Sequence, residues 1–235
     1  MITSEKCWLK SSCTKATKPN TTAPCLANDI FCIKLFKLDF LYNNALVSDK
    51  QREHVDLRLD LDGADEVAFT QLATIQQNVV SFVTGGKNLY LHSPTTGNGK
   101  TAWALRLLQS YFNAIWYKTS LQCHGLFINV PRLLLAIKDS YSDPNEYAAA
   151  VKERVLEADL VIWDEVGVKE LSPHDHEQLL NFINYRIDAG KANIYTSNLP
   201  PEQVRLLLGD RLYSRIINCS TQIKLCGKDK RGLLK

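Results

Sequence analysis

No apolar run in this 235-residue chain approaches the roughly 18–20 residues that a membrane span needs. The N-terminus also lacks the short apolar core of a secretory leader, so a cytoplasmic protein without membrane contact is expected. A strong charge bias is missing as well. Lys and Arg number 28 against 25 Asp and Glu, a formal net charge of +3, which excludes a basic nucleic-acid coat and leaves any such contact to a local patch. There is no internal repeat, coiled-coil heptad or low-complexity tract, and no close C-x-x-C knuckle. With 45% hydrophobic and 23% charged residues, what remains is the composition of a folded globular chain with one main domain.

The cysteines number seven, and four of them, Cys7, Cys13, Cys25 and Cys32, lie within the first 32 residues. In a reducing compartment such a cluster points to metal or burial before disulfides. Two readings stay open: a tetrahedral four-cysteine Zn²⁺ site stabilising a segment too small for its own core, or buried or free thiols. Cys123, Cys219 and Cys226 stand in apolar contexts, where core packing is expected.

Residues 14–24, rich in Thr, Lys and Pro, read as a loop within an N-terminal module, and the apolar spacing of 29–47 suits helix or strand equally. The charged stretch 48–63 suggests a hinge, which divides the chain into a Cys-containing module, 1–60, and a larger domain, 61–235. From 65 to 83 apolar residues recur every three or four positions, predicting one amphipathic helix stopped by Gly85 and Gly86. Strands are expected at 88–92, 125–130, 158–163, 193–197 and 221–226. Helices are expected at 102–112, 131–139, 145–157, 174–189, 201–208 and 210–217. Short apolar strands alternating with helices imply an α/β fold, a parallel sheet covered on both faces.

One strand-loop-helix unit carries chemistry. Residues 94–101, PTTGNGKT, supply the second half of the phosphate-loop pattern G-x-x-x-x-G-K-[ST]. Backbone N–H groups of Gly97, Asn98, Gly99, Lys100, Thr101 and Ala102, at the positive end of a helix, would surround a β-phosphate. Lys100 would neutralise β/γ charge and the Thr101 hydroxyl would ligate Mg²⁺. Pro94 stands where the first Gly of the pattern belongs and alters the start of the loop.

About sixty residues on, LVIWDE at 160–165 is an apolar strand ending in two acids. Asp164 would hold a water on Mg²⁺ and Glu165 would polarise the attacking water. A further strand, 125–130, lies between the loop strand and the acid-bearing strand, and with the adjacent Glu it favours hydrolysis over phosphoryl transfer to a metabolite. Asn198, closing YTSN, stands where α/β sheets place their ligands and would orient the lytic water; a turn before Pro200 and Pro201 is the alternative.

The segments NLYLHSPTTGNGKT, GLFINVPRLL, ADLVIWDEVG, NIYTSNLPPEQV, LGDRLYSRIIN and GKDKRG together resemble the AAA+ helicase-loader ATPases of the DnaC/DnaI type, especially their bacteriophage versions, over about residues 65–235. That resemblance implies a P-loop AAA+/ASCE sheet without a C-terminal helical lid. It implies Walker A residues Lys100 and Thr101, Walker B residues Asp164 and Glu165, and a sensor-1 residue, Asn198. It also implies an arginine inserted into a neighbour's site, Arg215 or else Arg211, and a sensor-2 arginine, Arg231. Implied too are ATP and Mg²⁺ as cofactors, a homo-oligomer, single-stranded DNA, and a DnaB-like replicative helicase gripped by the N-terminal module. Arg132, Lys138 and Lys118 are the candidate DNA-facing cations, against an ordinary solvated surface. Two other functions stay open: an IstB-like ATPase assisting a transposase, and an adaptor that binds ATP but scarcely hydrolyses it.

Overall fold

Five short runs become strands, and in four of them nearly every side chain is buried: β1 (Asn88–His92), β2 (Gly125–Asn129), β3 (Leu160–Asp164) and β4 (Ala192–Ser197); the edge strand β5 (Thr221–Lys224) buries Ile223 alone. They form one parallel sheet in the order β2-β3-β4-β1-β5. The computed structural model describes residues 7–9, 32–52, 57 and 63–230. The expected loop at 14–24 and much of the expected hinge lie outside them.

Helices cover both faces. On one side the loop helix α5 (Lys100–Ile115) packs with α1 (Ile33–Asn44), α3 (Glu66–Gln77) and α4 (Val79–Thr84), burying Leu38, Leu72, Leu107 and Phe112 against Leu89, Leu91 and Ile162. On the other lie α6 (Val130–Asp139), α7 (Glu146–Glu157), α8 (Pro173–Asp188) and α9 (Pro201–Tyr213), around Tyr90, Val161, Trp163 and Tyr195. Alternate strand residues thus serve opposite layers. A short turn, α2 (Asp49–Arg52), follows α1. The side chains of Asn129, Asn145 and Ser172 accept from the backbone N–H three residues on, capping α6, α7 and α8.

Several expectations change. The ambiguous stretch 29–47 contains helix α1. The single helix expected over 65–83 is two, because the chain turns at Asn78. The expected break between 208 and 210 is present as Gly209 at φ 74°, after which the chain winds into a π-helical turn, Ser214–Asn218. Cys123 is buried, whereas Cys219 and Cys226 are exposed: the first follows the π-turn, and the second faces outward next to buried Leu225.

The edge of the sheet away from the strand ends is locked by Arg186, fully buried on α8. Its guanidinium donates to the carbonyls of Val155 (2.7 Å), Ala158 (2.7 Å) and Ala192 (2.6 Å) and to Asn193 Oδ1 (2.7 Å). This strand order, with the Gly-rich loop between β1 and α5, makes the domain an α/β P-loop NTPase fold.

Candidate functional site

Along the chain β2 separates the loop strand from the acid-bearing strand, but in the sheet β4 lies between them and β2 occupies the edge. The carboxyl ends of β1, β3 and β4 therefore converge, and one cavity is lined by Gly97, Gly99, Lys100, Thr101, Glu165 and Asn198, with Ala102, Thr196 and Ser197 also on its wall.

The loop closes despite Pro94. Pro94 is exposed, and the buried Ser93 does the local work: its N–H donates to Ser197 O (3.2 Å) while its Oγ accepts from Thr95 N–H (3.1 Å) and from the Asn98 amide. The hydroxyl thus closes the turn that the missing glycine would otherwise shape. Gly97 and Gly99 both hold positive φ, +73° and +105°, as the bend before α5 demands. Lys100 is 8% exposed; its Nζ donates to Thr95 O (2.8 Å) and Asn98 Oδ1 (3.2 Å), so its charge lies folded over the loop where phosphate oxygens would replace these acceptors.

Thr101 Oγ1 donates to Asp164 Oδ1 across 2.8 Å, joining the loop helix to β3. Burial pushes the Asp164 carboxyl up and the charge of Glu165 adds to this, while hydrogen bonds from Thr196 and Thr101 and the charge of Lys100 act the other way; the net shift is upward. A buried carboxylate beside a hydroxyl is a pair of hard oxygen donors, the set that Mg²⁺ takes, and the cation would supply the charge that burial there makes favourable.

Glu165 sits at φ 63°, a left-handed conformation that costs a non-glycine residue about 1–2 kcal/mol. Its N–H donates to Thr196 Oγ1 (3.1 Å), and Val166 N–H donates to Thr196 O (2.9 Å). Its carboxylate accepts from Asn129 Nδ2 (2.9 Å) at the end of β2. Strain of this kind at a strand end is a mark of a functional position. Thr196 and Asn129 were both missed in the sequence, although each is a polar residue closing a parallel strand, and that position is itself the signal.

Other expected residues lie elsewhere. Arg215 is 41% exposed in its side chain and stands 4.0 Å from Asp188, the last residue of α8, which precedes the start of β4. It therefore lies at the edge of the sheet opposite its own chain's cavity. Arg211 is exposed on α9, and Arg231 lies outside the described residues. Arg132 stacks on Tyr147 (4.4 Å) at the loop edge of the sheet, with Lys138 on the same helix, whereas Lys118 follows α5 at the far edge, so the three do not form one patch. Of the four early cysteines, Cys13 and Cys25 lie outside the described residues, and Cys7 and Cys32 pack partly buried against the α1 core. Among the described residues no group of three or more His, Cys, Asp or Glu could hold a metal ion, which leaves zinc without support. No helix among the described residues is long and apolar enough to cross a membrane.

No curated protein sequence matches the chain. Among solved structures it is similar to the DnaC helicase loader, at 17% identity over 76% of this chain and 99% of that one with a TM-score of 0.59. It is also similar to DnaI, at 22% identity over 75% and 88% with a TM-score of 0.56. Domain III of the Thermotoga maritima replication initiation protein DnaA matches at 19% identity over 82% and 69% with a TM-score of 0.52. At these identities the likeness shows the fold. The family model described as IstB-like ATP binding protein matches residues 40–220, well over half of the sequence. The chain belongs to the IstB-like ATP binding protein family.

Proposed function

We propose that the protein hydrolyses ATP and uses the energy to place a DnaB-like replicative helicase onto single-stranded DNA. The observation that carries the ATPase part is the 2.8 Å contact of Thr101 with Asp164, beside Glu165, in a cavity roofed by Lys100. In this reading Lys100 and the amides of 97–102 bind the phosphates, Thr101 and Asp164 hold Mg²⁺, Glu165 is the general base, and Asn198 orients the attacking water. A bound Mg²⁺ supplies Lewis-acid stabilisation of the γ-phosphate.

Helicase loading is supported by the resemblance of the motifs and by a fold that matches nearly the whole of the DnaC loader structure. Arg215, at the far edge from its own site, suits a role in trans: in an oligomer it would meet the phosphates of a neighbour and stabilise their developing charge. The N-terminal portion, 1–60, would grip the helicase. Arg132 lines a second cavity with Lys50 that reaches Asp164, a place from which a DNA phosphate would be felt at the catalytic acids. The cellular location in this reading is the cytoplasm.

The family match favours a second reading, an IstB-like ATPase that assists a transposase on duplex DNA. One experiment separates them: purified protein, with and without ATP, is tested for loading of a DnaB-like helicase on single strands and for preference between bent duplex and single-stranded DNA. Loading that requires ATP and is lost in Glu165→Gln supports the first reading; no loading together with duplex preference replaces it with the second.

A further inference from the structure

We propose that Asp65 is a positioning residue of the nucleotide site: it pins residues 225–230 across the phosphate loop and thereby sets the shape of that loop. Asp65 immediately precedes α3 and is 1% exposed. Its two carboxylate oxygens accept the backbone N–H groups of Cys226 (2.5 Å) and Gly227 (3.0 Å), more than 160 residues away in sequence. A buried carboxylate is costly unless so bonded, and the two N–H groups, lying beyond the end of β5, lose their partners without it.

From that anchor the segment runs over the loop. Leu225 N–H donates to His92 O (2.8 Å), extending the β1–β5 pairing by one step to the residue before Ser93. Leu225 O accepts from Asn98 Nδ2 (3.4 Å), and Asn98 Oδ1 in turn accepts from Lys100. Further on, Lys230 N–H donates to Gly97 O (3.0 Å), and the Asp229 carboxylate rests against Gly97 so closely that any Cβ there would overlap it. The loop is thus held on one side by β4, through Ser93 and Ser197, and on the other by residues 225–230. Asp65 itself lines no part of the cavity. Its effect on phosphate binding passes through the segment it fixes, in the way outer partners orient the groups that touch a ligand.

The segment bonds to Gly97 and Asn98, and the strand it extends, β5, is separated from β3 and its acids by β1 and β4 in the sheet. Freeing it should therefore loosen the loop amides and weaken nucleotide binding while leaving the positions of Asp164 and Glu165 intact. The inference rests on the assignment of the loop to ATP, so its test carries its own control.

In the full chain, Asp65→Asn keeps the volume but presents one acceptor and an N–H₂ donor to two N–H groups. It is expected to weaken ATP·Mg²⁺ binding on the order of tenfold and to speed hydrogen exchange at the amides of 97–99. Lys230→Pro, which deletes the N–H donated to Gly97 O, should do the same, and the two together should be less than additive because they act through one segment. Unchanged affinity and exchange in Asp65→Asn, or full additivity of the pair, overturns the proposal. Should Asp65→Asn not fold, Lys230→Pro decides alone, and wild-type affinity and exchange there overturn it. Lys100→Ala runs alongside: if it too binds ATP normally, the assignment of the loop to ATP fails, whereas its loss with no effect of Asp65→Asn condemns only the role given to Asp65.

Discussion

Thr196 Oγ1 donates a 2.6 Å hydrogen bond to Asp164 Oδ1 across neighbouring strands, and the same oxygen accepts the N–H of Glu165 at 3.1 Å. One hydroxyl on β4 therefore holds both acids at the end of β3, including the left-handed turn at Glu165. Thr196→Val is close in shape but removes both bonds; Asp164 Oδ1 keeps the bond from Thr101, while the Glu165 N–H loses its acceptor, at about 1–3 kcal/mol in stability. ATP affinity should stay within a few-fold, because the phosphate loop is untouched. Turnover should fall at least tenfold, by the order of effect that general-base positioning has. Denaturant unfolding and steady-state kinetics on the same preparation check both, and a lower affinity at normal turnover would contradict this placement.

Asn129 has two duties that mutation can separate. Its Oδ1 accepts Arg132 N–H (3.1 Å) and caps α6, while its Nδ2 donates to Glu165 Oε2 (2.9 Å). Asn129→Ala loses the cap and should cost about 1 kcal/mol. Asn129→Asp keeps a good cap, so stability should change little, but it replaces the donor to Glu165 with a second carboxylate. Two carboxyl groups sharing a site hold a proton more tightly, so the acid limb of the ATPase pH–rate profile should move to higher pH. A wild-type profile in Asn129→Asp would show that the contact has no part in turnover.

The sequence disclosed those parts of the molecule whose cause is local. The apolar strands and the Gly-Lys-Thr and Asp-Glu pairs can be read from neighbouring residues, since apolar runs and short motifs act within a few positions. What escaped depends on contacts distant in sequence. Thr196 acquires meaning only once β4 is inserted between β1 and β3, and Asp65 only once residues 226 and 227 fold back onto it. The break at Asn78 was hidden because the apolar period runs through it. Cys219 and Cys226 were read as core from flanking Ile and Leu, but Cys219 lies past the end of the π-turn whose Ile216 and Ile217 are buried, and exposure alternates residue by residue around Cys226.

Arg186 makes a sharp stability test because its role is geometric. Burial lowers its pKa to about 10, and the nearby Tyr195 and Asp159 act the other way, so the group stays charged at neutral pH while its fork serves acceptors on α7, β4 and the turn before β3. Arg186→Met fills similar space but strands these carbonyls, and about 3–5 kcal/mol of stability should be lost. Arg186→Lys should recover only part of it, since a single ammonium cannot reach a planar set of acceptors. Urea midpoints of the three proteins give the ranking, and a lysine variant as stable as the wild type would show that charge alone suffices.

A second cluster at the same edge should govern acid stability. Asp159 Oδ2 lies 2.7 Å from His124 Nδ1 and accepts from Tyr111 OH (3.1 Å), while Oδ1 accepts from Lys191 Nζ (3.0 Å). Burial alone would raise its pKa, but the hydrogen bonds and charges of His124 and Lys191 outweigh burial and hold it lowered, at about 2 against 3.8 for the free side chain. Because the folded value is the lower one, the stabilisation is fully present above about pH 4 and is lost as pH falls toward 2. With a third of the side chain exposed (33%), solvent screening reduces the contribution to about 1 kcal/mol, below what the full shift would give. Asp159→Asn should therefore be less stable than the wild type by that amount at pH 7, and the gap should close between pH 4 and 2. Other acids titrate in the same range, so the measured quantity is the difference between the two stability curves. A gap that stays constant down to pH 2 would mean that packing at this position, and not the charge on Asp159, is what the fold relies on.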